Sequence, residues 1–226
     1  MKIQVCLLFI TTTIAALGQS FFGFSGDLGS SYRLLRSDYF LLNDIYHDIE
    51  SPHIAGSFGA HYKYKFTENW AIQAGLDYSL LAFRTQMIEN HPDEALFEIS
   101  SQPRPAQSVA KQTHINRLSM PVLFVYNFRQ SGNWRLLAAT GVSAEVAGNT
   151  YIRYIFEDNQ TQNITVDNTN RTVALLFQFG WINKLANRNQ VSFSFRYMQD
   201  VVPAKNQEIH RYLNMLSFQV AYWFSV

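Results

Sequence analysis

The sequence predicts an all-β protein, an eight-stranded antiparallel up-and-down transmembrane β-barrel. Three observations carry that expectation. Apolar and polar residues alternate with period two through eight segments, one parity of those segments is free of charge apart from strand ends, and short connections alternate with long ones.

Composition frames the reading. Of 226 residues, 47% are hydrophobic and 15% aromatic, but only 15% are charged, against roughly 25% in soluble domains. Mean hydropathy is nevertheless −0.11. Such a mixture excludes disorder, and it excludes a polytopic helical membrane protein. Eighteen basic residues meet 17 acidic ones for a net charge of +1, so no field advertises a nucleic-acid partner, and none is expected.

Met1-Lys2 precedes an apolar run, Ile3 to Leu17, that closes on Ala16-Leu17-Gly18. A basic start, an apolar stretch of about 7–15 residues and small residues at −3 and −1 describe a secretory signal peptide. Residues 1–18 are expected to be that leader and 19–226 the barrel domain. The run falls short of the ~20 residues a spanning helix needs. The single cysteine, Cys6, lies inside it. A mature chain without cysteine has no disulfide, no thiol nucleophile and no cysteine-bound metal, and no cofactor is expected.

Alternation places strands at about 21 to 33, 53 to 66, 69 to 84, 113 to 128, 134 to 147, 171 to 184, 190 to 200 and 212 to 226. Successive side chains point to opposite faces of a sheet, so each strand splits into two lists. One parity carries Phe22, Phe24 and Leu28, then Phe58 and Tyr62, Ile72 and Leu76, Val122 and Phe124, Phe177 and Phe179, Phe195, and Phe218. The other carries Asp27, His61, Lys63, Asp77, Arg117, Glu145 and Arg196 among many Gly, Ser and Ala. Arg84 and Arg171 break the rule at strand ends.

A soluble ligand-binding barrel turns its apolar face inward and needs a charged exterior. The polar face here is too rich in small residues and too poor in Lys and Glu for that role. A transmembrane barrel turns the apolar face to lipid and fills its lumen with the mixed face. Phe66, Trp70, Phe128, Trp134, Trp181 and Phe224 gather beside the short turns as an aromatic girdle would. Tyr32, Tyr78, Tyr197 and Tyr212 supply part of a second girdle. Connections at 67–69, 129–133 and 185–189 are short, while 34–52, 85–112, 148–170 and 201–211 are long. Bacterial outer-membrane barrels have short periplasmic turns and long extracellular loops, and an even strand count puts both chain ends in the periplasm. The expected location is the outer membrane, with its lipid as the first partner.

The run Tyr64-Lys65-Phe66-Thr67-Glu68-Asn69-Trp70-Ala71-Ile72-Gln73-Ala74-Gly75-Leu76-Asp77-Tyr78-Ser79 resembles a hairpin of PorT-like outer-membrane β-barrel proteins of Bacteroidota-type bacteria. There an Asn-Trp turn leads into an aromatic strand with a central Gly-Leu-x-Tyr. Leu118-Ser119-Met120-Pro121-Val122-Leu123-Phe124-Val125-Tyr126-Asn127-Phe128 is similar to that family's Leu-x-Ile-Pro-Leu-Leu strand, with Met120 for Ile. The resemblance implies fold and location, insertion by the barrel-assembly machinery, and a place in a secretion or surface assembly with an envelope protein partner. The chain departs from the terminal-aromatic pattern in ending Phe224-Ser225-Val226. Pro121, which has no N–H to give a ladder, predicts a bulge or bend.

Eight strands enclose an interior that side chains fill. Asp27, Asp77 and Glu145 against Lys63, Arg117 and Arg196, with His61 between, are expected to seal it as an ion-pair network. Buried charges without partners would cost several kcal/mol each. Function then falls to the loops. Tyr39, Phe40 and Tyr46 in the first, and Tyr151, Tyr154 and Phe156 in the third, make those loops too apolar for solvated linkers. They are candidate binding residues, or else strands that continue above the membrane, with a hairpin turn near 159–163. The alternative is a rim enzyme, a protease or lipid hydrolase, drawing on His47, Asp48, His53, His91, His114 or His210 with Asp38, Asp44 and Glu50. Neither His-Glu-x-x-His nor Gly-x-Ser-x-Gly occurs, so no catalytic or metal residue is assigned.

Overall fold

The computed structural model describes residues 19–37, 50–87, 108–128, 132–167, 171–201 and 209–226. They form nine antiparallel strands: β1 (Gln19–Ser37), β2 (Glu50–Lys65), β3 (Trp70–Thr85), β4 (Val109–Asn127), β5 (Trp134–Phe156), β6 (Thr161–Asp167), β7 (Val173–Lys184), β8 (Gln190–Asp200) and β9 (Ile209–Ser225). Eight of them close into a ring in the order β1-β2-β3-β4-β5-β7-β8-β9, with β9 returning to β1. The ring is the barrel that the period predicts. Closure leaves no unpaired edge along the wall, which is what a hydrocarbon environment demands of a sheet.

The ninth strand, β6, pairs with the upper half of β5, outside the ring. It occupies the segment the sequence marks as the third long loop. Its turn is set locally: the Asn159 N–H donates to Phe156 O, and Asn159 takes φ 62°, a left-handed conformation that Asn tolerates better than most residues. On the opposite end, Thr67 Oγ1 accepts from the N–H groups of Asn69 and Trp70 at 3.3 and 3.0 Å, holding the first short turn.

Side chains sort across the wall as the parity requires. Leu28 is 68% exposed and Ile54 72%, while Asp77 is 1% and His61 2%. The hydrophobic exterior and charged interior invert the arrangement of a soluble domain. The interior is not wholly polar, however. Leu81, Phe83, Ile115, Leu123, Leu176, Met198 and Met215 belong to one buried apolar cluster, and Phe21, Ala221 and Trp223 form a second at the turn end. Two glycines make room for the mid-barrel side chains. A Cβ at Gly59 would overlap the Asp77 carboxylate, and one at Gly75 the His61 ring.

Two irregularities depart from simple alternation. Leu118 pairs with Ala147 but Ser119 with Glu145, so Val146 is an extra residue in β5. The inward parity of β5 therefore changes from odd at Ser143 and Glu145 to even at Tyr154 and Phe156. A second shift lies between Pro52 and Gly56 in β2. At Pro121 itself the β4–β5 register runs unbroken. The missing donor shows instead as a gap in the β3–β4 ladder, between the Ala74–Val122 and Asp77–Ser119 pairs, without a change of register. The bulge expected at Pro121 is therefore not found there; the register shift lies between Leu118 and Ser119, and its extra residue, Val146, is on β5.

Candidate functional site

The lumen is crossed at three levels. At the turn end, Lys63 on β2 donates to Gln190 Oε1 on β8 at 3.0 Å, and its ammonium lies 4.0 Å from the ring centre of Trp223. The indole N–H of Trp223 donates to Ser192 Oγ at 3.1 Å, so this polar handle is satisfied inside the floor. The space above, lined by Lys63, Gln73, Asn127, Gln178 and Trp223, measures ≈ 10 Å³, about the least that holds one water.

In the middle, Arg196 on β8 reaches across the barrel. It donates to Asp77 Oδ2 on β3 at 2.8 Å and to Asp27 Oδ2 on β1 at 3.4 Å. Ser57 Oγ donates to Asp27 Oδ2 at 2.7 Å. His61 Nε2 stands 3.1 Å from Asp77 Oδ1 and 2.8 Å from Ser25 Oγ. Serine and carboxylate thus meet the same imidazole nitrogen. A nucleophile–base–orienter relay needs them on opposite nitrogens, so the cluster is not a catalytic triad. Gln178 extends this layer, donating to Ser194 Oγ and to Gln219 Oε1 at 2.6 and 2.9 Å.

Higher up, Arg117 on β4 spans to β8 and grips Asp200 with two bonds of 2.8 and 2.9 Å. Its Nε lies 3.4 Å from Glu145 Oε2, which also accepts from Thr172 Oγ1 at 2.7 Å. Forked guanidinium–carboxylate pairing of this kind fixes geometry as well as charge. Near the mouth Arg33 pairs with Glu50, and its guanidinium lies 4.5 Å from the ring centre of Phe83. At the three lower levels charges, amides and an aromatic ring tie strands that are not neighbours, and these side chains fill the lumen.

The structure thus brings Asp27, His61, Asp77 and Arg196 into one cluster and Arg117 with Glu145 into another, and places Lys63 apart from both. Asp200 and Trp223 are absent from the sequence-based site. Asp200 shares the parity of Arg196 on β8, and Trp223 that of Gln219 on β9, so the same sorting carried to the strand ends would have found them.

On the outer surface Trp70, Phe128, Trp134, Trp181 and Phe224 are exposed at the turn end, with Phe66 half-buried beside them. They pack with neighbouring rings, among them Trp70 with Tyr126 at 4.4 Å, Tyr126 with Phe128 at 4.9 Å and Phe224 with Tyr222 at 4.7 Å between centroids.

On the loop side, Tyr154 and Phe156 need correction as surface candidates. The extra residue in β5 turns both inward, where they are buried with Val109 and covered in part by Ile152 and Ile164. Tyr151, on the other parity, is 43% exposed. Tyr39, Phe40 and Tyr46 lie outside the described residues, as do residues 1–18, Asp38, Asp44, His47, Asp48 and His91. His53 and His114 meet on the rim, ring centres 6.4 Å apart, with Gln112 Nε2 3.2 Å from His53 Nε2. Among the described residues, no three His, Cys, Asp or Glu side chains are grouped to hold a metal ion.

The wall, its girdle and its filled lumen define a transmembrane barrel of the outer-membrane class. The sequence profile of the family described as outer membrane protein beta-barrel domain matches residues 18–200, and the chain belongs to that family. It is an outer-membrane protein. Among solved structures it is similar to Neisserial surface protein A, at 9% identity over 89% of this chain and 95% of that one, with a TM-score of 0.45. It is similar also to OprG from Pseudomonas aeruginosa and to the outer membrane protease OmpT from Escherichia coli. Each is 9% identical over 92% of this chain and 96% of the other, with a TM-score of 0.41. No curated protein matches it in sequence.

Proposed function

We propose that this protein is a non-conducting, non-enzymatic barrel that works by recognition through its extracellular side. The observation that supports this is the filled lumen: two arginines, each holding two carboxylates, cross it above a Lys63–Trp223 floor. A barrel so closed offers the outside world its rim. There β4, β5 and β6 continue above the ring as a small sheet with Tyr151, Arg153 and Thr161 to Asn163 exposed. The PorT-like features at 64–79 and 118–128 favour an envelope protein as the partner, within a secretion or surface assembly. They also favour insertion by the barrel-assembly machinery.

A photo-reactive residue placed at Tyr151 or Arg153 in cells tests the reading. It is expected to give a stoichiometric adduct with one envelope protein, where the same probe at lipid-facing Phe24 gives none. Purified protein in a planar bilayer is expected to show no steady conductance. Large steady channels would overturn the recognition reading at its root.

A further inference from the structure

The outward side of the wall changes character at one height. On β4 the outward residues run Val122, Met120 and Leu118, and then Asn116, His114 and Gln112. On β5 they run Val142, Ala144 and Ala147, and then Asn149, Tyr151 and Arg153. Leu118 pairs with Ala147 and Asn116 with Asn149, so both strands turn from apolar to polar at the same step. On β3, Leu80 lies opposite Asn116 and Arg84 opposite Gln112, which places the change at the same level.

Depth agrees with this boundary. Tyr126 packs on Trp70 in the turn-side girdle, and His114 and Gln112 lie twelve and fourteen residues further along β4. At ~3.4 Å per residue and a tilt near 45°, they stand roughly 29–34 Å above it. The hydrocarbon core is ~30 Å thick, and headgroups bring the bilayer to ~40–45 Å. The polar step therefore falls at the headgroups of the extracellular leaflet.

The first charges above the step on these three strands are cationic. Register sets Gln112 between Arg84 and Arg153, in one row across β3, β4 and β5. The row below holds Ala82, His114 and Tyr151. His53 joins from β2, its ring 6.4 Å from that of His114 and its Nε2 3.2 Å from Gln112 Nε2. Arg153 is near enough to His114 to repel a charged imidazole. Among the described residues neither Arg84 nor Arg153 is paired with a carboxylate. Glu50, on the strand beside β3, is buried against Arg33. Glu157 and Asp167 each stand four residues of chain from the Arg153–Asn163 pair. Two guanidinium groups on strands about 10 Å apart, with an amide and imidazoles between them and hydrocarbon below, match a phosphate at the membrane surface. The guanidinium fork fits phosphate oxygens two at a time.

We infer that the outward face of β3, β4 and β5 at this level binds a phosphorylated glycolipid of the extracellular leaflet. Arg84 and Arg153 hold phosphate oxygens, Gln112 and His114 donate beside them, and the acyl chains lie down the wall over Leu80, Leu118 and Met120. The inference stands apart from the recognition reading, and its test uses purified protein with no partner present.

Native mass spectrometry of purified protein given lipid A, dephosphorylated lipid A or phosphatidylglycerol tests it. One lipid A is expected to be retained, at least about tenfold in preference to its dephosphorylated form, and in preference to phosphatidylglycerol. Arg84→Gln with Arg153→Gln should abolish the preference for phosphate and leave weak retention of either form. Gln112→Glu, which sets a carboxylate between the arginines, should reach the same loss independently. Arg135→Gln with Lys184→Gln removes as much charge at the turn end and should change nothing. Millimolar inorganic phosphate should not displace the lipid. Each variant is checked for folding by its heat-modifiable gel shift. Equal retention of lipid A with and without phosphate, or survival of the preference in either rim variant, would overturn the assignment. So would its loss in the turn-end variant, equal or better retention of phosphatidylglycerol, or displacement by inorganic phosphate.

Discussion

Below the Val146 bulge and above it, the same wall obeys different rules. Below, each strand of the ring is paired on both sides, parity holds, and charges meet across the lumen over long stretches of sequence, as Asp27 and Arg196 do. Above, β5 shifts its facing by one residue, β6 is added beside it, and β7 and β8 stop at Val173 and Asp200 while β4 and β5 continue. The lower barrel is bounded by lipid, which forbids an open edge or an unmatched face. Water tolerates both above it. Where the solvent constraint is lifted, the fold is free to carry a bulge and an edge strand, and that is where we place recognition.

The contrast predicts which changes matter. The largest effect is expected from Arg196→Met. It strands Asp27 and Asp77 together in the lumen, and breaking a buried pair in this way costs about 3–5 kcal/mol. Denaturant unfolding in lipid, followed by Trp fluorescence, measures it, and a loss below ~1 kcal/mol would mean that water or rearrangement screens the carboxylates. Deleting Val146 comes next. Removing the extra residue restores one parity along β5 and turns Tyr154 and Phe156 outward. Burial of such side chains is worth about 1.5–3 kcal/mol each. Hydrogen exchange should show protection lost at 148–167 and kept in the β1–β3 and β7–β9 walls. If the whole ring loosens, the two regions are one cooperative unit. The smallest effect is expected from Ile164→Ala, which trims a half-buried contact on the Val109–Tyr154–Phe156 cluster. About 1 kcal/mol should be lost locally, visible as faster exchange in β6 without a change in global unfolding.

How far the site was legible follows the same line. The facing of Asp77, Arg117 and Arg196 could be read from alternation alone, because a strand's period is a property of its backbone. The partners could not. Asp200 and Arg117 are 83 residues apart in sequence, and only closure of the ring brings β4 opposite β8. The facing of Tyr154 and Phe156 was lost for a nearer reason. One inserted residue reverses parity, and nothing about Val146, an apolar residue among small ones, marks it as extra.

The sequence by itself thus determined the barrel, the outward parity of its apolar residues, the outward aromatic residues beside the short turns and the turn and loop ends, since all of these rest on local periodicity and solvent preference. The tertiary structure alone decided which charges meet, how the lumen is plugged, where β5 changes face and that β6 joins it. Those depend on register around a closed sheet, where shifting one strand by a residue re-pairs every side chain across the interior.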